Sequence, residues 1–382
     1  MTLRPAVAIL LTTVVASSSL PADDAVSAVQ RIDLSDQVSR QVTVDREQGQ
    51  YLGHPTTLLL EDGRTILCVY PKGHGKGGIV YKRSTDGGRT WSQRLDTPAN
   101  WSTSREVPTL HRVIDADGRR RVIMFSGLYP IRMAVSEDDG LTWSELNPIG
   151  DFGGIVAMGC VFPVRESPGE YVAMFHDDGR FISADAKQKK PVVFTLYQTR
   201  SSDGGLTWSP PQSIIASSEY HLCEPGVIRS PDQKEIAVLL RENSRRHNSQ
   251  IIFSQDEGKT WSSPVPLPDA LSGDRHTGQY SPDGRILISF RKRSASQRPD
   301  SEFEGDWVAW VGSWSDLKSQ LPGQYLVRLK DNHRGADCAY PGVEVLPDGT
   351  FVITTYGHWN PGEQPWILSV RLRLSELDAM AD

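Results

Sequence analysis

No stretch of the 382 residues approaches the ~20 consecutive apolar positions that a membrane-spanning helix needs. Basic residues are not in excess: 41 Lys and Arg stand against 47 Asp and Glu, a formal charge of −6. No broad positive field therefore favours nucleic acid as a partner. Cysteine is scarce, four residues at positions 68, 160, 223 and 338, and none has a neighbour at the short C-x₂₋₄-C spacing of a zinc site. Nor do these spacings resemble a disulfide framework. Each cysteine falls within or next to an expected inner strand, which predicts buried free thiols. A linker is missing as well, so residues 29–382 read as one domain.

What the chain does have is a repeat. Ser84–Trp91 reads S-T-D-G-G-R-T-W, and the pattern S-x-D-x-G-x-T-W returns at Ser136–Trp143, Ser201–Trp208 and Ser254–Trp261. Recurrence roughly every 50 to 65 residues marks a repeated supersecondary unit, as in propellers and solenoids. The box has the chemistry of a hairpin tip. Its Asp can accept bonds from backbone N–H groups further along the turn. Its Gly can take positive φ, and its Trp supplies an apolar wedge at the start of the next strand. A calcium loop would need more oxygen ligands and a late Glu. No metal and no cofactor are expected.

Around each box the same order of elements recurs. An apolar strand ends at an Asp-Gly type turn, a second strand follows, then a loop, a strand into the box and a last strand. Six such units can be traced from residue 52, with turns at Asp62-Gly63, Asp115–Gly118, Ser230–Lys234, Asp283-Gly284 and Asp348-Gly349 among them. Blade five lacks a box, and Ser313-Trp314-Ser315-Asp316 is at most a remnant of one. Blade six runs out of chain before its outer strand. One strand is expected within 29–50, and Gln41–Asp45 is predicted to fill the gap beside Trp366–Leu372 and so remove the last open edge. The fold class predicted is all-β: a six-bladed propeller of four-stranded antiparallel blades, closed by an N-terminal strand.

Residues 1–28 read as a secretory signal, with Arg4, the apolar run Ala6–Ala16 and small residues at Ser17–Ser19 and Ala22. Cleavage is expected near Ala22 or Ala28, and export to the periplasm or medium follows from it.

Topology selects a site. The starts of first strands and the ends of second strands share one face of a propeller, opposite the turns and boxes. On that face the sequence places His54, Arg105, Glu224, Arg275 and Tyr340 at strand starts. Lys72, His74, Asp177, Asp178, Arg241 and Arg291 lie at strand ends or in the loops after them. The arginines would make a cationic floor, because a guanidinium fork grips a carboxylate with two parallel bonds. A Tyr–Glu pair can act as nucleophile and base.

The S-x-D-x-G-x-T-W box resembles the Asp-box of the sialidase superfamily, over about residues 50–375. The resemblance implies a six-bladed propeller with each box between the third and fourth strands. The box itself says nothing of activity. Residue by residue, Glu224 in Cys223-Glu224-Pro225-Gly226 resembles the partner of the family's nucleophile, Tyr340 the nucleophile, and Arg241 in Leu240-Arg241-Glu242-Asn243 the second arginine of its triad. Arg291 is best placed as the third, with Arg275 and Arg293 as rivals. The first arginine is replaced by His54-Pro55. The blade-one loop, residues 71–78, has no carboxylate where the family carries its acid/base Asp. His74, or Asp177 or Asp178 from blade three, is the alternative acid. The implied activity is release of a terminal acidic sugar from a glycan, with retention, through a tyrosyl intermediate. Glycan binding without catalysis, or lyase-type or trans-sialidase chemistry, are the rival readings. The protein is expected to act as a monomer on a glycan or glycoconjugate.

Overall fold

Each box closes its turn with the same set of bonds. In the first, Asp86 Oδ1 accepts the backbone N–H groups of Arg89 and Thr90 at 3.0 and 2.9 Å, and Oδ2 accepts the Thr90 hydroxyl at 2.6 Å. Ser84 Oγ donates to Asp86 at 2.8 Å and accepts the Gly88 N–H at 2.8 Å. Asp138, Asp203 and Asp256 bind the Ser and Thr of their own boxes in the same way. The carboxylate is thus taken up by the turn. The box glycines carry positive φ, +76° at Gly88 and +79° at Gly140, where a Cβ would be strained.

Desolvation works against ionisation of these carboxyls, but bonds from the box Thr side chain and backbone outweigh it and hold Asp86, Asp138, Asp203 and Asp256 below the usual carboxylate range. A carboxyl whose folded pKa lies below its unfolded one contributes stability above the unfolded value, and loses it as pH falls through the folded value. Asp138→Ala is therefore expected to cost about 1–2 kcal/mol at neutral pH, with the difference from wild type closing as pH drops below 4. Urea titrations across pH would check this, and a pH-independent difference would contradict it.

In the computed structural model, which describes residues 29–296 and 302–381, these turns join six sheets arranged as propeller blades. The signal segment expected at 1–28 lies outside the described residues. Blade one has three strands, Thr56–Leu59, Ile66–Pro71 and Ile79–Ser84. Blade two runs Pro108–Ile114, Arg120–Ser126, Arg132–Ser136 and Asn147–Pro148, and blade three Ile155–Pro163, Tyr171–Asp177, Phe194–Ser201 and Gln212–Ser217. Blade four is Leu222–Arg229, Ile236–Glu242, Gln250–Ser254 and Val265–Pro266. Blade five is Gly273–Tyr280, Ile286–Lys292, Trp307–Gly312 and Tyr325–Lys330. Blade six is Gly342–Val345, Phe351–Gly357 and Trp366–Leu372, completed by Gln41–Asp45. That last strand pairs antiparallel with Trp366–Leu372, with Gln41 opposite Val370, as the missing outer strand required.

Three features differ from the sequence expectation. The N-terminal segment supplies two strands, because Gln30–Asp33 also pairs, in parallel, with Tyr325–Lys330 at the rim of blade five. Blade one has no fourth strand among the described residues. Blade five replaces its box with a short helix, Trp314–Ser319. There Ser313 Oγ accepts the Asp316 N–H and Asp316 accepts the Ser313 N–H, a reciprocal cap.

Apolar side chains from facing blades fill the spaces between them, as where Ile123 and Phe125 of blade two meet Ala173 and Phe175 of blade three. All four cysteines are buried and free. The box tryptophans are not uniformly sealed. Trp143 is half-buried, edge-on to Trp101 and Tyr81 with centroids at 5.4 and 5.9 Å. No helix among the described residues is long and apolar enough to cross a membrane.

The inner strands approach closely where glycine permits. A Cβ on Gly226 would stand 2.1 Å from the His276 carbonyl oxygen, and one on Gly342 2.1 Å from Thr57 Oγ1. At or just ahead of five of the six inner strands stands a non-glycine residue with left-handed φ: His54 (+55°), Val156 (+49°), Glu224 (+53°), Arg275 (+56°) and Ala339 (+54°). Such a conformation costs of order 1–3 kcal/mol and persists only where its surroundings hold it. It breaks the alternation of side chains and shifts the register in blades three, four and five. Chemistry-bearing residues thereby gather at the mouth of the ring.

Candidate active site

Glu224, at one of these left-handed positions, is buried beside Arg241 of the next strand and Tyr340, which stands just ahead of the inner strand of blade six. Tyr340 Oη donates to its Oε1 at 2.5 Å, and Arg241 Nη1 donates to the same oxygen at 2.7 Å. Arg241 Nη1 also stands 3.4 Å from the phenol oxygen. The other carboxylate oxygen, Oε2, is buried and has no partner. Burial opposes ionisation of Glu224, but the Arg241 charge prevails and its pKa is lowered, so it is a carboxylate at neutral pH. Burial, then the Glu224 charge, pushes the Tyr340 phenol well above its usual value, so it stays protonated until it reacts. A neutral hydroxyl aimed at a ready acceptor can serve as a nucleophile with its base.

The arginines on this face converge on a carboxylate that the sequence reading had not selected. Asp274 is fully buried; its Oδ2 accepts hydrogen bonds from Arg291 Nε at 2.7 Å and Arg245 Nη2 at 2.8 Å, with Arg291 Nη2 at an ion-pair distance of 2.5 Å, and Arg245 Nη1 pairs with Oδ1 by charge at 2.6 Å. Arg241 Nε lies 3.2 Å away, at ion-pair distance but without hydrogen-bond alignment. Arg291 gives its remaining nitrogen, Nη1, to the carbonyl oxygens of Ala336 and Cys338 at 2.6 and 3.1 Å. Burial would raise the Asp274 pKa, yet the charges of Arg291, Arg241 and Arg245 hold it far below the carboxylate range. Three guanidinium groups thus face two carboxylates, Asp274 and Glu224, which leaves one positive charge in excess.

Packed against Tyr340 is a group of aromatic and imidazole side chains. His54 stacks on Tyr356 at 4.4 Å and meets Tyr340 edge-on at 4.5 Å and His74 at 4.8 Å. Its Nδ1 accepts the Gly75 backbone N–H at 3.1 Å. Burial pushes its pKa well below the ordinary value. The neutral ring therefore carries its hydrogen on Nε2, 3.1 Å from Tyr356 Oη, and Tyr356 donates onward to Asp337 Oδ1 at 3.2 Å. Asp337 also accepts the Tyr51 hydroxyl at 2.8 Å and lies 3.0 Å from His358 Nε2; His74 Nδ1 is 2.6 Å from Tyr51 Oη and 3.3 Å from Asp337. His74 is the most exposed of these groups, 64% by side chain. A carboxylate behind a solvent-facing imidazole is the arrangement that orients a proton donor.

Tyr340, Glu224, Arg241, Arg291, His54 and His74 thus come together. The others do not join them. Asp177 is buried and closes its own loop, accepting the N–H groups of Gly179 and Phe181 at 2.6 and 3.0 Å. Asp178 is paired with Arg180 Nε at 2.8 Å. Lys72 pairs with Glu47 at 3.3 Å on the exposed rim. Arg105 is exposed near Arg132, and Arg293 faces Glu304 at 3.2 Å. Arg275 lines a cavity on the propeller axis rather than the floor of the site. Asp274, Arg245, Asp337 and Tyr51 were missed. Asp274 directly precedes Arg275, and Asp337 stands three residues before Tyr340. Glu106, next to Arg105, is buried, and burial raises its pKa to about 7.

The BNR repeat-like domain matches residues 131–353. No curated protein matches the chain. Among solved structures, a protein of unknown function from Dyadobacter fermentans superposes with a TM-score of 0.66 at 16% identity, covering 87% of this chain and 98% of that one. The NanB sialidase of Streptococcus pneumoniae, as its K499G mutant, gives 0.59 at 12% identity, covering 90% and 73%. The intramolecular trans-sialidase of Ruminococcus gnavus gives 0.57 at 15% identity, covering 86% and 95%. At these identities the likeness is one of fold.

Proposed function

The chain belongs to the BNR repeat-like domain family, and on that footing we propose that it is an exported exo-glycosidase that removes a terminal sugar with retention. The observation that carries this reading is the 2.5 Å contact between Tyr340 Oη and Glu224 Oε1, braced by Arg241. Tyr340 Oη attacks the anomeric carbon while its proton passes to Glu224. The glycosidic bond breaks, and the leaving oxygen takes a proton from His74, whose imidazolium is steadied by Asp337. Water then attacks the tyrosyl-linked carbon and releases the sugar, with the proton flow reversed.

The positive charge in excess among Arg241, Arg245 and Arg291 suits an acidic sugar, sialic acid or a related sugar acid. A neutral phenol also suits such a sugar, because its carboxylate does not repel the nucleophile. Arg241 and Arg245 are the more exposed side chains, 16 and 21% against 10% for Arg291, and are the ones a substrate carboxylate would meet. The prior hold of Asp274 on the same arginines favours a second reading, a sugar without that carboxylate, cleaved or only bound. Mass spectrometry of products from a panel of acidic and neutral glycans tests both. Release of an acidic monosaccharide supports the first. Release of neutral sugars alone assigns the site to the second, and binding without release removes the hydrolase.

His74→Gln tests the acid. Turnover of glycans with alkoxide leaving groups is expected to fall about 10²–10⁴-fold, the usual worth of general acid catalysis. Aryl glycosides with nitrophenolate leaving groups, which need no proton, should lose far less. Equal losses on both substrates would assign the proton to another group.

A further inference from the structure

Edges of all six inner strands line a cavity of about 280 Å³ on the propeller axis. Arg275 lines it and is 6% exposed. Unlike Arg241, Arg245 and Arg291, its guanidinium has no hydrogen-bond acceptor or counter-ion among the described residues. A guanidinium offers five N–H donors and keeps its charge when buried, and burying a charge unpaired is costly.

The groups around Arg275 do not neutralise it. Burial, then the Arg275 charge, pushes His111 on the facing wall down to about 3, so that ring is neutral. Cys160 in the same lining stays a thiol, its pKa raised by burial to about 12. The acid of the lining, Glu344, is occupied elsewhere: it accepts the Thr57 hydroxyl at 2.7 Å and the Leu59 N–H at 2.9 Å. A second donor is free. Thr109 Oγ1 accepts the Met158 N–H at 3.0 Å, and its hydroxyl hydrogen has no acceptor among the described residues. Arg112, also in the lining, binds Glu61 and Asp139 through Nη2 but leaves Nε and Nη1 buried and unpartnered.

We propose that this cavity is a binding site for one small monovalent anion, of halide or formate size, held by the Arg275 guanidinium with the Thr109 hydroxyl as second donor. One unpaired positive charge sets the valence, and Glu344 in the same lining disfavours a dianion. The site is separate from the sugar pocket, but the charge of Arg275 reaches His54 and His176 above it. An anion there offsets that charge beneath the pocket.

Crystals of the wild-type protein soaked in sodium bromide are expected to show an anomalous peak in contact with the Arg275 guanidinium on the axis. In solution, replacing sodium gluconate by sodium bromide at constant ionic strength should raise the unfolding midpoint of the wild type and leave that of Arg275→Met unchanged. A bromide map with no peak on the axis, or an equal bromide response in Arg275→Met, overturns the proposal. Should Arg275→Met not fold, the wild-type map decides alone.

Discussion

Tyr340→Phe is expected to lower turnover by about 10⁴-fold or more, because it removes the atom assigned to form the covalent bond. Its fold should survive. The ring that remains keeps its edge contact with His54 at 4.5 Å and its place beneath Arg291, 5.9 Å from the guanidinium. Glu224 loses one donor but retains Arg241. Glu224→Gln keeps the shape and removes the base. An amide can keep its oxygen at the Oε1 position, where it accepts from both Arg241 and the phenol, so it too should fold, with a loss of about 10²–10⁴-fold. The two residues act as one unit, so Tyr340→Phe with Glu224→Gln should be little worse than Tyr340→Phe alone. The measurement is kcat/KM on whichever glycan the product panel identifies, beside a urea midpoint for each variant. A folded Tyr340→Phe with wild-type turnover would falsify the tyrosyl mechanism. Multiplicative losses in the double variant would separate the two residues into independent roles.

How far the sequence could be read follows from which signals were local. The boxes were legible because Ser, Asp, Gly and Thr bind one another within a few residues, so the turn is written in one stretch. Closure by Gln41–Asp45 was legible as a deficit, since blade six ended without an outer strand. Tyr340, Glu224 and Arg241 could be placed because strand starts and strand ends of a propeller share a face. The second N-terminal strand, Gln30–Asp33, was not legible, because parallel pairing with Tyr325–Lys330 leaves no turn signal between the partners. Ser313–Asp316 was read as a worn box, although Ser followed three residues later by Asp is also a helix cap. Asp274 escaped for a different reason. Strand alternation would place residues 273, 275 and 277 on one face, but left-handed φ at Arg275 and the register shift after Asp274 break that period. The acid goes to the arginine cluster, and the arginine goes to the axis. Asp337 lies in a loop, where no periodicity announces which way a side chain turns.

Asp274→Ala is expected to be the most destabilising substitution at this face, by about 3–5 kcal/mol, the cost of breaking a buried ion pair from one side. The reason is the number of partners it would strand. Arg291 would keep only two backbone carbonyls, and Arg241 and Arg245 would face each other across an empty seat. Asp274→Asn keeps the volume and one acceptor, so its loss should be smaller. The pH dependence has a definite sign. The folded pKa of Asp274 lies far below its unfolded value, so its contribution is present above the unfolded value and is withdrawn only in strong acid. The difference between wild type and Asp274→Asn should accordingly be flat from pH 5 to 8. The same variant probes what the arginines are for. If their excess charge serves a substrate carboxylate, free N-acetylneuraminate should raise the unfolding midpoint of Asp274→Asn more than that of wild type, since it enters a seat already lined with guanidinium groups. A larger rise in wild type would mean that the sugar acid binds beside an intact Asp274 and needs it. No rise in either protein would leave Asp274 and Glu224 as the cluster's carboxylate ligands and turn the substrate reading to sugars without an acid group.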